Sequence, residues 1–79
     1  MDFYQIHDVT IQTGIFGRIR AEEILKSHER RGDIDRYYIA HKEKDSDGIM
    51  TIRYRIAPII YEDFEKIVDE FNQNGIWVI

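Results

Sequence analysis

Residues 50–56 read Met-Thr-Ile-Arg-Tyr-Arg-Ile and alternate apolar with polar side chains without a break. Met50, Ile52, Tyr54 and Ile56 share one parity; Thr51, Arg53 and Arg55 share the other. Successive side chains of a strand point to opposite faces, so this stretch specifies a half-buried strand with one apolar face and one basic face. The rest of the chain has to cover the apolar face, and the functional question is what the basic face meets.

Residues 3–13 are rich in β-formers, but Tyr4 and Ile6 fall on one parity and Val9 and Ile11 on the other. A one-residue slip near His7 and Asp8, a β-bulge, reconciles the two halves. Thr13-Gly14-Ile15-Phe16-Gly17 then reads as a connection. A helix is expected over 18–31, because Ala21, Ile24, Leu25 and His28 recur at helical spacing, with His28 at the edge of that apolar face. Gly32 suits its end, and Arg30 and Arg31 suit the negative pole of its last turn. A strand is expected over 35–44, with Tyr37, Ile39 and His41 on one side and Arg36, Tyr38, Ala40 and Lys42 on the other. Asp47-Gly48 turns the chain, and a strand over 49–57 returns beside it until Pro58, which cannot donate to a ladder. Ile60, Phe64, Ile67, Val68 and Phe71 form one stripe of a second helix over 61–73, with acids crowding its first turn. Residues 76–79, Ile-Trp-Val-Ile, complete the chain as a short apolar strand.

The order β-α-β-β-α-β implies an α+β fold. Its economical form is the ferredoxin-like plan, a four-stranded antiparallel sheet in order 4-1-3-2 with two helices on one face. The 79 residues make a single domain. There is no cysteine, which removes disulfides, thiolate metal sites and cysteine catalysis. Small secreted domains commonly need disulfides, so a cytoplasmic home is expected. No apolar run approaches the ~20 residues of a membrane span, and Met1-Asp2-Phe3-Tyr4 lacks the basic and apolar regions of an export signal.

The net charge is −4, which disfavours non-specific nucleic-acid binding, but the charge is unevenly spread. Glu62, Asp63, Glu65, Asp69 and Glu70 face only Lys66 in the second helix, whereas Arg18, Arg20, Lys26, Arg30 and Arg31 enrich the first. If Met50, Ile52, Tyr54 and Ile56 pack beneath the helices, Arg36, Tyr38, Lys42, Arg53 and Arg55 share the open face of the sheet. Trp77 borders it from the apolar terminal strand, where an uncovered edge invites pairing. That surface suits a protein partner or a second copy of the chain. An aromatic among bases also suits single-stranded RNA, although the glycines and aromatics of the RNA-recognition pattern are absent from the third strand. Gly14, Gly17, Arg18 and Arg20 form a second candidate, an anion-binding loop at a helix N-terminus, which would suit a phosphate-directed enzyme.

Catalysis finds little support. Ser27 and Ser46 have no placed histidine beside them, and the carboxylates lie along a helix surface rather than in a cleft. The strands of His7 and His41 are not neighbours and His28 is helical, so no metal site or cofactor is expected. The sequence thus describes a small non-catalytic binding module. Such a domain suits an inhibitor or regulator of the kind phages and mobile elements encode. The basic sheet face as a nucleic-acid site is the alternative. Replacing Ile52 or Ile56 by Asp is expected to cost several kcal/mol by burying an unpaired charge, read as a lowered urea midpoint.

Overall fold

The computed structural model describes residues 5–79. The elements are β1 (His7–Thr13), α1 (Ile15–Arg31), β2 (Ile34–Lys44), β3 (Met50–Pro58), α2 (Tyr61–Gln73) and β4 (Trp77–Val78). All strand pairs are antiparallel, in the order β2-β3-β1-β4, which is the expected 4-1-3-2 arrangement. The most strictly alternating strand therefore lies inside the sheet, paired on both sides. Met50, Ile52, Tyr54 and Ile56 are buried, and they join Val9 and Ile11 of β1 in one core. Ala21, Ile24 and Leu25 of α1 and Ile67 and Phe71 of α2 close that core from above. Among the described residues, no helix is long and apolar enough to cross a membrane.

The expected bulge in β1 is not there. Its register against β3 runs unbroken from His7↔Ile56 to Thr13↔Met50. Val9 and Ile11 face the core, whereas Ile6 precedes the strand and is exposed, so its parity constrains nothing. Tyr4, the other half of that expectation, lies outside the described residues. The irregularities occur in β2 instead. Its register with β3 shifts between Ile34 and Arg36 and again between Ile39 and His41, leaving Asp35 and Ala40 as extra residues. Each extra residue reverses the faces of the residues after it, because side-chain direction alternates by twos.

α1 begins at Ile15, three residues before the expected start, so most of the connection read at 13–17 is a first helical turn. Gly14 caps it in extended conformation, and the Arg18 amide donates to the Gly14 carbonyl at 3.1 Å. Gly17 is required by proximity rather than by turning: a Cβ there would run into the Thr13 side chain. At the other end Gly32 takes the left-handed conformation, φ 81°, and the Asp33 amide returns to the His28 carbonyl at 2.9 Å. α2 starts at Tyr61 as expected. The β2–β3 turn is tied by Asp45 Oδ1, which accepts the amides of Asp47 at 2.9 Å and Ile49 at 3.0 Å, while Gly48 supplies φ 84°. Gly17→Ala is expected to destabilise the fold by about 1–3 kcal/mol through overpacking against Thr13. A Thr13→Ala background should recover part of that loss, measured by urea denaturation of the three variants.

Candidate interaction surface: the open sheet face

Antiparallel partners share a face, so the registers define the surface row by row. One row contains Tyr38, Arg55 and Asp8. The next contains His41, Arg53 and Thr10, and the third contains Glu43, Thr51, Gln12 and Trp77. Arg36 stands opposite Ala57 at the far end. Arg36, Tyr38, Arg53 and Arg55 therefore share this side, as expected, and Trp77, whose side the alternation of 76–79 left open, joins them.

Lys42 does not. It pairs with Ile52 in the helix-side set, because the extra residue at Ala40 shifts the parity. The same shift brings His41, expected on the core side, onto the open face opposite Arg53. Lys42 lies instead beside Ile15, Arg18, Lys44 and Met50 at a concavity of about 330 Å³. Ile39 keeps its expected parity but sits at the sheet margin, where it is 36% exposed rather than buried.

Asp8 changes the electrostatics of the surface. Arg55 donates to it through Nε at 2.8 Å and Nη2 at 3.0 Å, and Arg53 Nε approaches at 3.7 Å. This bidentate clamp holds the Asp8 carboxyl below the usual aspartate range and raises the Arg55 guanidinium. Arg53, Arg55 and Asp8 together carry one net positive charge rather than two. The Arg55 guanidinium also lies 6.0 Å from the Tyr38 ring centre. Asp8 was legible in principle: with β1 unbulged, Asp8, Thr10 and Gln12 share the parity opposite Val9 and Ile11. Assuming a bulge concealed it.

The β4 border is apolar and uncovered. Trp77 is 70% exposed and Ile79 66%, while Val78 turns toward the core. The Ile79 amide donates to the Thr10 carbonyl at 2.9 Å, so Ile79 continues the β1 pairing on the Trp77 side.

The candidate anion loop is differently built from its expectation. Gly17 lies within the helix, and Arg18 Nε donates to Glu22 Oε2 at 3.0 Å. Arg20 Nε donates to Asn74 Oδ1 at 3.0 Å, tying α1 to the end of α2. Both guanidiniums are engaged by the protein. Glu22 Oε2 also accepts the Tyr54 hydroxyl at 3.0 Å.

His28 is not an edge residue. It is buried, with Nδ1 2.9 Å from Asp33 Oδ2 and Nε2 2.7 Å from Glu70 Oε1. Carboxylates only accept, so each contact is a hydrogen bond when the ring nitrogen donates. The ring thus bridges the α1–β2 corner to α2. His7 instead stands 5.0 Å from the ring centres of both Tyr61 and Phe64, with Nε2 buried and unpartnered. Among the described residues no group of three or more His, Asp or Glu side chains is arranged to hold a metal ion.

No protein-family model matches the chain, and no curated protein or solved structure does.

Burial, reinforced by the Glu22 contact, pushes the Tyr54 hydroxyl far above the ordinary tyrosine range. The unfolded chain ionises this group near pH ~10 while the folded chain retains the proton. Stability is therefore complete below that pH and falls as pH rises above it. Tyr54→Phe is expected to reduce that alkaline decline, leaving the part due to Tyr37, which burial also raises. Urea midpoints of both proteins between about pH 8 and pH 11 provide the comparison.

Proposed function

We propose that this chain is a ferredoxin-like, non-catalytic binding module whose open sheet face and β4 edge receive a second protein, either a partner or another copy. The observation that carries this reading is the exposure of Trp77 and Ile79, 70% and 66%, on the face that presents Tyr38 and Arg55. Tryptophan, tyrosine and arginine supply most of the binding energy at protein interfaces, through large rigid contact area and forked hydrogen bonding. Here they stand on strands, so their directions are held by the ladder.

The clamp between Asp8 and Arg55 supports a protein partner over a nucleic acid. Arg55 is already engaged, Arg53 lies within reach of the same carboxylate, and Lys42 belongs to the opposite side. A phosphate backbone would find Arg36 and a partly neutralised pair rather than a continuous basic strip. A role as an inhibitor or regulator acting through this face fits the same traits.

Sedimentation velocity at rising concentration separates the two kinds of partner. A second copy gives a dimer that Trp77→Ser weakens by tenfold or more, without changing the circular dichroism spectrum. A foreign partner leaves the chain monomeric, and its capture from a cell extract is lost in the same variant. Capture and dimerisation that both survive Trp77→Ser and Arg55→Ala would remove this face from consideration.

A further inference from the structure

The hairpin of β2 and β3 carries two lysines on its helix side. Lys42 stands in the row of Ile52 and Ile11, and Lys44 in the row of Met50 and Thr13. They are two residues apart in one strand, so they point the same way. Their inner neighbours Ile52 and Met50 belong to the core, which makes the lysines the outer ends of two core rows. Neither lysine forms an ion pair among the described residues, whereas Arg18 nearby is bound to Glu22. The turn at 45–49 lies beyond the row in which β1 ends, so the hairpin forms an arm beside the start of α1.

The concavity of about 330 Å³ lies between that arm and the first turn of α1. Ile15 of α1 and Met50 of β3 are its apolar walls, and Arg18, Lys42 and Lys44 stand at its border. Glu43 borders it too, but by register it belongs to the open-face row of Thr51. Ile15 is 63% exposed, and Ile19, one turn further on the same helix face, is half exposed. Phe16 beside them is 85% exposed, more than any other large apolar side chain among the described residues. An apolar groove with unpaired cations along one wall is complementary to an apolar side chain flanked by carboxylates.

We propose that this groove is a second docking site, on the opposite side of the sheet from the open face, and that it receives an acidic segment of a partner protein. A large apolar side chain of the segment seats against Ile15 and Met50, and its neighbouring carboxylates reach Lys42 and Lys44. Charge selects the occupant. A second copy entering by the same surface would set its own Arg18, Lys42 and Lys44 against the first set, whereas an acidic segment neutralises them. Two free lysines neutralise too few phosphates to hold a nucleic acid, and they leave the apolar walls without a counterpart.

The test is an NMR titration with a blocked octapeptide that has a central leucine-phenylalanine pair flanked by glutamates. The expected result is saturable shifts at the amides of Ile15, Lys42 and Lys44 and at the Met50 methyl group. A counterpart with lysine in place of glutamate should not bind, and one with serine in place of the central pair should bind at least tenfold more weakly. Lys42→Glu with Lys44→Glu should weaken binding at least tenfold while leaving the remaining spectrum unchanged, since both side chains are exposed. Trp77→Ser should leave the titration as it is. Absence of binding at millimolar peptide overturns the proposal. Equal binding of the basic peptide does so as well, as do shifts confined to Tyr38, Arg53 and Arg55, and neither depends on a variant folding. An oligothymidine that shifts the same groove residues while the peptide does not would also overturn it. Failure here alongside association that Trp77→Ser abolishes would discard the groove and leave the open-face reading standing.

Discussion

Everything in this fold hangs on the two-residue pleat of β3. Because β3 lies between β1 and β2, its apolar set is covered from above and its polar set is framed on both sides. Ile52, Tyr54 and Ile56 are fully buried, and Ile11 beside Ile52 extends the same floor. Tyr54 does more than fill space. Its hydroxyl reaches Glu22, which also accepts Arg18, so the central strand is bonded to α1 through a single carboxylate. A buried phenol needs such a partner, since an unpaired hydroxyl would forfeit about 1–3 kcal/mol.

Seams between elements are polar where the chain must choose one arrangement. Arg20 with Asn74 joins α1 to the end of α2, and His28 with Glu70 joins the same helices further along. Asp33 adds the α1–β2 corner to the second contact. Apolar packing alone is tolerant of sliding, whereas directional hydrogen bonds hold one register of helix against helix. The histidine that spacing assigns to an apolar stripe thus serves as a buried junction between two acidic side chains.

The open face owes its character to a competition between charge and pleat. Arg53 and Arg55 project from a strand whose neighbour supplies Asp8, and the resulting clamp is bidentate but only weakly positive. The extra residue at Ala40 acts in the same direction, taking Lys42 out of the surface and bringing His41 into it. A strip that looks basic along one strand becomes mixed once its neighbours are in place. The apolar border at Trp77 and Ile79 is untouched by this exchange and becomes the more distinctive feature.

Local periodicity determined the element order, the burial of Met50, Ile52, Tyr54 and Ile56, the stripe of α2 and the turn at Gly48. These depend on side-chain spacing and on backbone conformations that neighbouring residues impose, and both are written in sequence. The strand order was also legible, because short connections and right-handed crossovers leave few alternatives for β-α-β-β-α-β. Only the tertiary structure decided the register of β2, the pairing of Asp8 with Arg55, and the burial of His28 between Asp33 and Glu70. Each depends on residues distant in the chain meeting at a particular offset. A single inserted residue, such as Ala40, changes that offset without disturbing the local pattern enough to announce itself.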